Sequence, residues 1–184
     1  MRAPNEVNQL LNMQQNDYCH SSRKKEIREP KFILDVHLGK LARYLRMLGF
    51  DTLYENDYTD PEIVNIAKIE KRAVLTRDTE LLKIKAIEKG YLIKSKNHLE
   101  QLAEVILRFD LASKIRPFSR CMVCNGVVVK VEKEAVIGKL LPKTRQYYEE
   151  FFQCNSCERV YWKGSHYIKM NRFIGDFLSE ISGS

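Results

Sequence analysis

Residues 31–52 have the sequence KFILDVHLGKLARYLRMLGFDT, in which a strand pattern passes directly into a helix pattern. The apolar run at 32–34 is bounded by charged residues, which is typical of a short buried strand. Apolar residues then recur at helical spacing from Leu38 to Leu48, and Gly49 favours the end of that helix. The stretch predicts a buried strand followed by an amphipathic helix.

The same alternation continues through residues 31–116. Apolar runs at 52–54, 73–76 and 91–93 predict three more strands, and helical patterns lie between and after them, the last behind a capping Asn97. Alternating strands and helices predict an α/β fold, in which a mostly parallel sheet of about four strands has helices on both faces.

The rest of the chain differs in character. Residues 117–170 contain a β run between two cysteine pairs and few helix signals, so we expect a small second module there. Residues 1–30 are polar and predict a flexible leader, and residues 171–184 predict a weakly amphipathic C-terminal tail. The α/β domain at 31–116 is the largest of these four parts.

Composition predicts a soluble, cytoplasmic protein. Of the 184 residues, 44% are hydrophobic and 30% charged, which excludes wholesale disorder. No apolar run is long enough to cross a membrane, and residues 1–30 lack the apolar core of a signal peptide. Lys and Arg number 31 against 24 Asp and Glu, a net charge of +7 that favours a polyanionic partner such as RNA.

Three aspartates lie where predicted strands end. Asp35 follows the first strand, and Asp78 follows the third, with Glu80 two residues later. Asp60 is at the start of the helix after the second strand, with Glu62 beside it. Because parallel strands end at one sheet edge, these acids are expected to lie together. Such carboxylates suit Mg²⁺ or Mn²⁺, and two ions can promote phosphodiester hydrolysis by water. Helix capping is the simpler explanation for Asp60 by itself and an equal one for Asp78, but Asp35 has no obvious capping role.

Basic residues lie near the same predicted edge. Lys40, Arg43 and Arg46 recur every three residues on the helix after Asp35, and Arg77 lies at the end of the third strand. They predict a phosphate-binding face, with an ordinary solvated helix face as the alternative.

Two C-x-x-C motifs predict a second kind of metal site. Four thiolates, from Cys121, Cys124, Cys154 and Cys157, predict a closed tetrahedral Zn²⁺ site of a structural kind. An iron–sulfur centre and a redox dithiol are the alternatives. Cys19, the fifth cysteine, has no explanation.

The second motif is followed by the aromatic and basic stretch YWKGSHY at 161–167. Trp162 and Lys163 are candidates to stack on unpaired bases and contact phosphates. His166 is a candidate phosphate ligand or general acid. The alternative is that the aromatic residues form the module's own core and that His166 is an ordinary packed histidine.

The run from Asp35 to Thr52, then Asp60, then LTRD at 75–78, resembles the Mut-seven C-terminal RNase domain family, a branch of the PIN-like nucleases. The resemblance covers about residues 31–172. It implies a PIN-like α/β/α sandwich with a zinc ribbon, and a metal-dependent ribonuclease. By this resemblance Asp35, Asp60 and Asp78 would hold the ions, and the further catalytic candidates are Glu62, Glu80 and Thr76. Thr76 would position a water or a carboxylate, and either Asp60 or Glu62 would supply the second acid.

Two functions remain open from the sequence. The favoured one is an endoribonuclease that uses Mg²⁺ or Mn²⁺ at the sheet-edge acids, with a Cys₄ zinc ribbon that aids RNA binding. The alternative is a non-catalytic RNA- or ribosome-binding adaptor that uses the basic ribbon as its working surface. A nuclease restrained by a protein inhibitor is a third hypothesis, and the sequence leaves the oligomeric state open.

Overall fold

The computed structural model describes residues 30–182. The predicted leader therefore lies outside the described residues except for Pro30, and Cys19 lies outside them as well. The strands are β1 (Lys31–Leu34), β2 (Asp51–Leu53), β3 (Ala73–Thr76), β4 (Gly90–Leu92), β5 (Val128–Val131), β6 (Phe151–Cys154) and β7 (Val160–Trp162). The α-helices are α1 (Gly39–Met47), α2 (Asp60–Glu70), α3 (Thr79–Leu82), α4 (His98–Arg108), α5 (Lys133–Val136), α6 (Pro142–Tyr147) and α7 (Ser165–Ser182). Single 3₁₀ turns span Val36–Leu38, Ala112–Lys114 and Ile137–Lys139.

The first four strands form a parallel sheet in the order β2-β1-β3-β4. Phe32, Ile33 and Leu34 in the inner strand β1 are completely buried, because helices cover both faces. Phe32 and Leu34 join the core that contains α1 and α4, while Ile33 joins the core on the α2 and α3 side. The predicted α/β fold with a four-stranded parallel sheet is confirmed.

The last three strands form an antiparallel sheet in the order β5-β6-β7. We call residues 119–164, which contain this sheet and both cysteine motifs, the ribbon. Its apolar core is small and is centred on three buried residues, Val136, Leu140 and Phe151.

Two helices differ from their sequence-based predictions. The helical pattern after the third predicted strand runs through Leu81, Leu82 and Ile87, but the helix ends at Leu82 and the chain continues in turns to β4. Residues 171–182 of the expected C-terminal tail are part of the helix α7, in which Ile174, Phe177 and Ile181 are buried in the α1 and α4 core. The expected boundary at residue 170 therefore falls inside a helix that packs on the α/β domain. Within residues 30–182, none of the helices combines the length and apolar character that a bilayer crossing requires.

Candidate functional site

The parallel sheet presents three aspartates along one edge. Asp35 directly follows β1, and Asp78 lies two residues beyond β3. Asp60 is the first residue of α2, the helix that follows β2. Because β2, β1 and β3 are adjacent and parallel, their carboxyl ends meet at the same edge. The topology therefore places the three acids on the same side of the sheet, two just beyond the adjacent strands β1 and β3 and one at the start of the helix after β2.

Asp35 is the most constrained of these acids. Its side chain is almost fully buried, at 5% exposure. The Oδ1 atom accepts a hydrogen bond from the His37 backbone N–H at 2.9 Å, and Oδ2 accepts one from the Arg77 N–H at 2.9 Å. Oδ2 also accepts a hydrogen bond from the Thr76 hydroxyl. The bond from His37 makes Asp35 the N-cap of the 3₁₀ turn at Val36–Leu38, so the expectation that it has no capping role is wrong. Together the donors fix the carboxylate orientation and leave acceptor capacity on Oδ1.

Thr76 connects two of the acidic positions. It is completely buried at the end of β3, and its hydroxyl donates to Asp35. The same oxygen accepts a hydrogen bond from the Asp78 backbone N–H at 2.8 Å. Thr76 therefore contacts both Asp35 and the backbone of Asp78, as expected of a residue that positions a carboxylate.

Asp78 and Glu80 both make local contacts at the start of α3. Asp78 is exposed, and its Oδ1 accepts a hydrogen bond from the Glu80 N–H at 2.8 Å, so it is the N-cap of this short helix. Glu80 forms an exposed ion pair with Lys83, with 2.6 Å between Oε1 and Nζ. Capping uses one lone pair of Asp78 and leaves the rest of its carboxylate accessible.

The start of α2 distinguishes Asp60 from Glu62. The N-cap is Thr59 rather than Asp60, because Glu62 accepts hydrogen bonds from the Thr59 N–H at 2.8 Å and from its hydroxyl at 2.7 Å. Both bonds lower the pKa of Glu62 below its usual value, and the bond from the backbone N–H has the larger effect. Glu62 is engaged in the cap, whereas Asp60 is exposed in the first helical turn and is not needed for the cap.

The three aspartates do not form a compact ligand cage. Among residues 30–182, the one group of three or more candidate metal ligands with atoms within 4.8 Å of one another is the cysteine quartet. A pair of ions about 4 Å apart spreads its ligands more widely than a single ion does. In the described residues, the three aspartates are therefore not placed as the ligands of one ion.

The four cysteines form such a cage. Their sulfur atoms all lie within 4.8 Å of one another, with 3.7 Å between Cys121 and Cys157 and 3.4 Å between Cys124 and Cys154. A tetrahedral Zn²⁺ with Zn–S bonds of about 2.3 Å requires sulfur separations of about 3.8 Å. The geometry fits a closed four-thiolate site.

The two cysteine motifs have matching backbone turns. Asn125 and Glu158, which follow the second cysteine of each motif, both adopt left-handed conformations, with φ of 67° and 56°. Their N–H groups donate to the carbonyls of Cys121 and Cys154, at 2.9 and 3.0 Å respectively. This repeated turn brings the paired cysteines of each motif to one side of the loop.

A scan against protein-family models matches residues 30–174 to the Mut7-C RNAse domain. The chain belongs to this family. A comparison with curated proteins and a comparison with solved structures each gave no significant match. The family description implies RNA as the substrate and a nuclease-like function, in agreement with the resemblance carried by the aspartate motifs. We refer to the α/β part of the chain as the RNase domain.

Three of the four basic residues predicted to form a phosphate-binding face on the RNase domain are exposed. Lys40 and Arg43 are exposed on α1, and Arg77 is exposed at the carboxyl edge of the sheet. Arg46 was expected beside them, but it is only 5% exposed. The spacing of three residues placed Arg46 with Arg43, whereas the tertiary packing covers this side of the helix.

Arg46 has a structural environment instead. Its Nε donates to the Thr52 carbonyl at 2.8 Å, Nη1 to the Val123 carbonyl at 2.8 Å, and Nη2 to the Tyr54 carbonyl at 3.3 Å. Burial lowers the pKa of this guanidinium below its ordinary value. Arg46 therefore connects strand β2 and the residue after it to the loop of the first cysteine motif, and its charge is not exposed to a ligand.

The predicted RNA-contact residues of the ribbon lie on its surface. Trp162 is 37% exposed, with its ring 6.3 Å from that of Tyr148. Lys163 is exposed and forms an ion pair with Glu150 at 2.7 Å. His166 is exposed in the first turn of α7. Their exposure leaves them accessible to a ligand, although Lys163 already has an acidic partner.

Sequence reasoning missed one buried acid, Glu104, beside the loop that leaves β4. It is 4% exposed on α4 and accepts hydrogen bonds from the Lys94 N–H at 3.0 Å, the Ser95 N–H at 3.3 Å and the Tyr91 hydroxyl at 2.9 Å. These contacts hold the loop that leaves β4. The signal in the sequence is an acid within the apolar run at 102–106.

Proposed function

We propose that this chain is a metal-dependent endoribonuclease that hydrolyses RNA phosphodiester bonds at the carboxyl edge of its parallel sheet. Asp35, Asp60 and Asp78 would hold Mg²⁺ or Mn²⁺. The observation that carries the proposal is the buried Asp35 carboxylate, which three donors orient at the end of the inner strand. Burial of a charged group is costly, so a carboxylate fixed in this way is a candidate for a functional role.

The donor chemistry of the edge fits hard divalent ions. Such ions prefer carboxylate oxygens, keep several waters and are held by few protein ligands. Asp35 supplies a preoriented carboxylate, and Asp60 and Asp78 supply exposed ones. When bound, two such ions activate an attacking water and stabilise the leaving oxygen.

The side chains of the RNase domain have separate roles in this proposal. Thr76 and the Arg77 N–H keep Asp35 in one orientation, which supports catalysis by avoiding reorganisation during the reaction. Lys40 and Arg43 would contact the RNA backbone from the exposed side of α1. Such phosphate contacts position the strand without selecting its sequence.

We favour Asp60 over Glu62 as the second acid. Glu62 already accepts two hydrogen bonds from Thr59, so ion binding would compete with the helix cap. Asp60→Asn is therefore expected to abolish most cleavage, whereas Glu62→Gln is expected to weaken the helix cap and retain most of the activity. The reverse order of effects would assign the role to Glu62.

The central test is RNA cleavage by the purified chain with Mn²⁺ or Mg²⁺. We expect Asp35→Asn and Asp78→Asn each to reduce the rate by at least about 100-fold, because loss of ion ligation removes stabilisation of the transition state. Glu88→Gln is the matched control, because it removes an exposed carboxylate near the opposite end of the sheet. Undiminished cleavage by the Asp35 and Asp78 variants would overturn the assignment.

The cysteine quartet supports a structural Zn²⁺ site as the second part of the proposal. Four sulfur ligands leave no open coordination position, so a reaction at this metal is not expected. Metal analysis of the purified chain is expected to give one zinc per molecule. Iron at the same stoichiometry would instead indicate an iron–sulfur or mononuclear iron site.

A non-catalytic RNA-binding adaptor is the second candidate. It is favoured by the exposed ring of Trp162 beside Lys163 on the ribbon. This alternative predicts salt-dependent RNA binding that Trp162→Ala reduces, without turnover under any metal condition. RNA cleavage that depends on Asp35 would exclude it as a complete description.

A further inference from the structure

Side chains form hydrogen bonds with the backbone of β2 along its outer side, where the parallel sheet ends. Among the described strands, β2 pairs with β1 alone, so its outer side has backbone groups without a strand partner. At Thr52 the N–H donates to Asn125 Oδ1 at 2.9 Å, and the carbonyl accepts from Arg46 Nε at 2.8 Å. Thr52 is completely buried. Two side chains therefore make the contacts that a neighbouring strand would otherwise make.

Asn125 belongs to the first cysteine motif. It follows Cys124 directly, is 6% exposed, and has a left-handed backbone with φ of 67°. Besides accepting from Thr52, it donates from Nδ2 to Asp51 Oδ1 at 2.7 Å. Its side chain thus contacts two successive residues of β2, while its backbone is part of the turn that presents the cysteines.

Further contacts connect the same loop to the sheet. The Val123 carbonyl, between the two cysteines of the first motif, accepts a hydrogen bond from Arg46 Nη1 at 2.8 Å. Arg120, which precedes the motif, lies 3.5 Å from Asp51 Oδ2 through its Nη2. The position of the metal-binding loop is therefore tied to the edge strand by several polar contacts.

The second cysteine motif provides an internal comparison. Glu158 occupies the position that corresponds to Asn125 and has the same left-handed backbone. Its side chain is exposed and pairs with Lys139 of the ribbon at 2.7 Å. The two motifs share a backbone turn, but contact with the RNase domain is made by Asn125 of the first one.

We propose that metal binding at the four cysteines is coupled to the order of the RNase domain's edge strand through Asn125 and Arg46. Loss of the metal would release the first cysteine loop, and Thr52 and Asp51 would lose their contacts with Asn125. Arg46 would lose its contact with the Val123 carbonyl, while Arg72 would stay paired with Asp51. The net result would be a looser β2. Residues 54–59 then lead from β2 to Asp60. The coupling rests on the metal site proposed above, and its consequence for catalysis rests on the proposed role of Asp60.

Hydrogen exchange at the Thr52 amide tests this coupling directly. Removal of zinc from the wild-type chain with a chelator is expected to accelerate exchange at Thr52 by at least about tenfold, the effect of losing one net hydrogen bond. The amides of Val74 and Leu75, in the inner strand β3, are expected to keep their exchange rates. Unchanged exchange at Thr52, or an equal acceleration in both strands, would overturn the proposal.

Two matched variants separate the side chain from the backbone turn. Asn125→Gly and Glu158→Gly each place glycine at a left-handed position, where it is tolerated without strain. With zinc bound, Asn125→Gly is expected to accelerate Thr52 exchange by about the same factor as chelation, and Glu158→Gly to leave it unchanged. Equal exchange in the two variants would contradict a specific role for Asn125.

The metal content of every sample distinguishes this inference from the proposals that it rests on. A chain that never contains a metal after purification would contradict the metal site itself. A chain that releases its zinc without a change at Thr52 would overturn only the coupling. RNA cleavage is not needed for either result.

Discussion

The two sheets of this protein are stabilised in different ways. The parallel sheet lies between two layers of helices, and the larger of its two cores contains twenty buried apolar residues. The ribbon sheet has an apolar core of three buried residues, Val136, Leu140 and Phe151. So few buried side chains provide little hydrophobic stabilisation, whereas metal binding by four thiolates provides free energy for folding. The parallel sheet depends on apolar burial, whereas the proposed metal would supply most of the stability of the ribbon.

The largest expected effect is loss of the metal from the ribbon. Cys154→Ser replaces a buried ligand and is expected to unfold the ribbon, because structural Zn²⁺ contributes on the order of 10 kcal/mol at neutral pH. In two-dimensional NMR with zinc in the buffer, the Cys154→Ser variant is expected to lose the dispersed signals of β5–β7 and to keep those of β1, β3 and β4. Retention of all ribbon signals would show that its apolar core is sufficient.

A pair of matched core substitutions sharpens the same contrast. Phe32 and Phe151 are both completely buried, one in each sheet. Phe32→Ala is expected to lower the unfolding free energy of the RNase domain by about 3–5 kcal/mol, since it removes a large core side chain that contacts other rings. Phe151→Ala is expected to weaken zinc affinity and to leave the unfolding of the RNase domain nearly unchanged. Denaturant unfolding and zinc titration measure the two outcomes.

The next prediction concerns the contact between the two regions. Burial raises the pKa of Asp51, but hydrogen bonds from Arg72 and Asn125 outweigh this effect and lower the pKa below its usual value of 3.8. A carboxyl with a lowered pKa in the folded state stabilises the protein above its unfolded pKa. That contribution is lost as the pH falls from about 3.8 towards the lower folded value.

Asp51→Asn is therefore expected to lower stability at pH 7 and to flatten the decline of stability below pH 4. Urea unfolding at a series of pH values measures this profile. Asp57→Asn, which changes an exposed aspartate in the following loop, is the control and is expected to retain the wild-type profile. A profile of Asp51→Asn parallel to that of the wild type would contradict the role of this carboxylate.

The smallest expected effect on stability comes from the surface of the ribbon. Lys163 and Glu150 form an exposed ion pair, and such pairs contribute little to folding. Lys163→Ala is expected to leave the melting temperature and the zinc content unchanged, while it weakens RNA binding and reduces its salt dependence. An unchanged RNA affinity would indicate that this surface is not part of the RNA contact.

Periodicity predicted most of the fold because the apolar residues of β1 and α1 follow the repeats of their elements. For α7 it indicated the weakly amphipathic pattern at 171–184 but not the packing of Ile174, Phe177 and Ile181 in the core of the RNase domain. Among the candidate site residues, Asp35 stood out in the sequence because it follows an apolar strand. The expectation that it has no capping role was wrong, because its Oδ1 caps the 3₁₀ turn at Val36–Leu38. The prediction that Arg46 is exposed was wrong, because helical spacing indicates its neighbours on α1 but not the ribbon loop that covers it.

The sequence by itself determined the family, the α/β order of elements and the four cysteines, because these depend on local spacing and residue chemistry. The tertiary structure decided which polar groups meet. It assigned the cap of α2 to Thr59 and Glu62, buried Arg46, and brought Asn125 to the edge of β2 across 73 residues of sequence. Contacts between residues so far apart in the chain depend on how whole elements pack, and no local pattern encodes them.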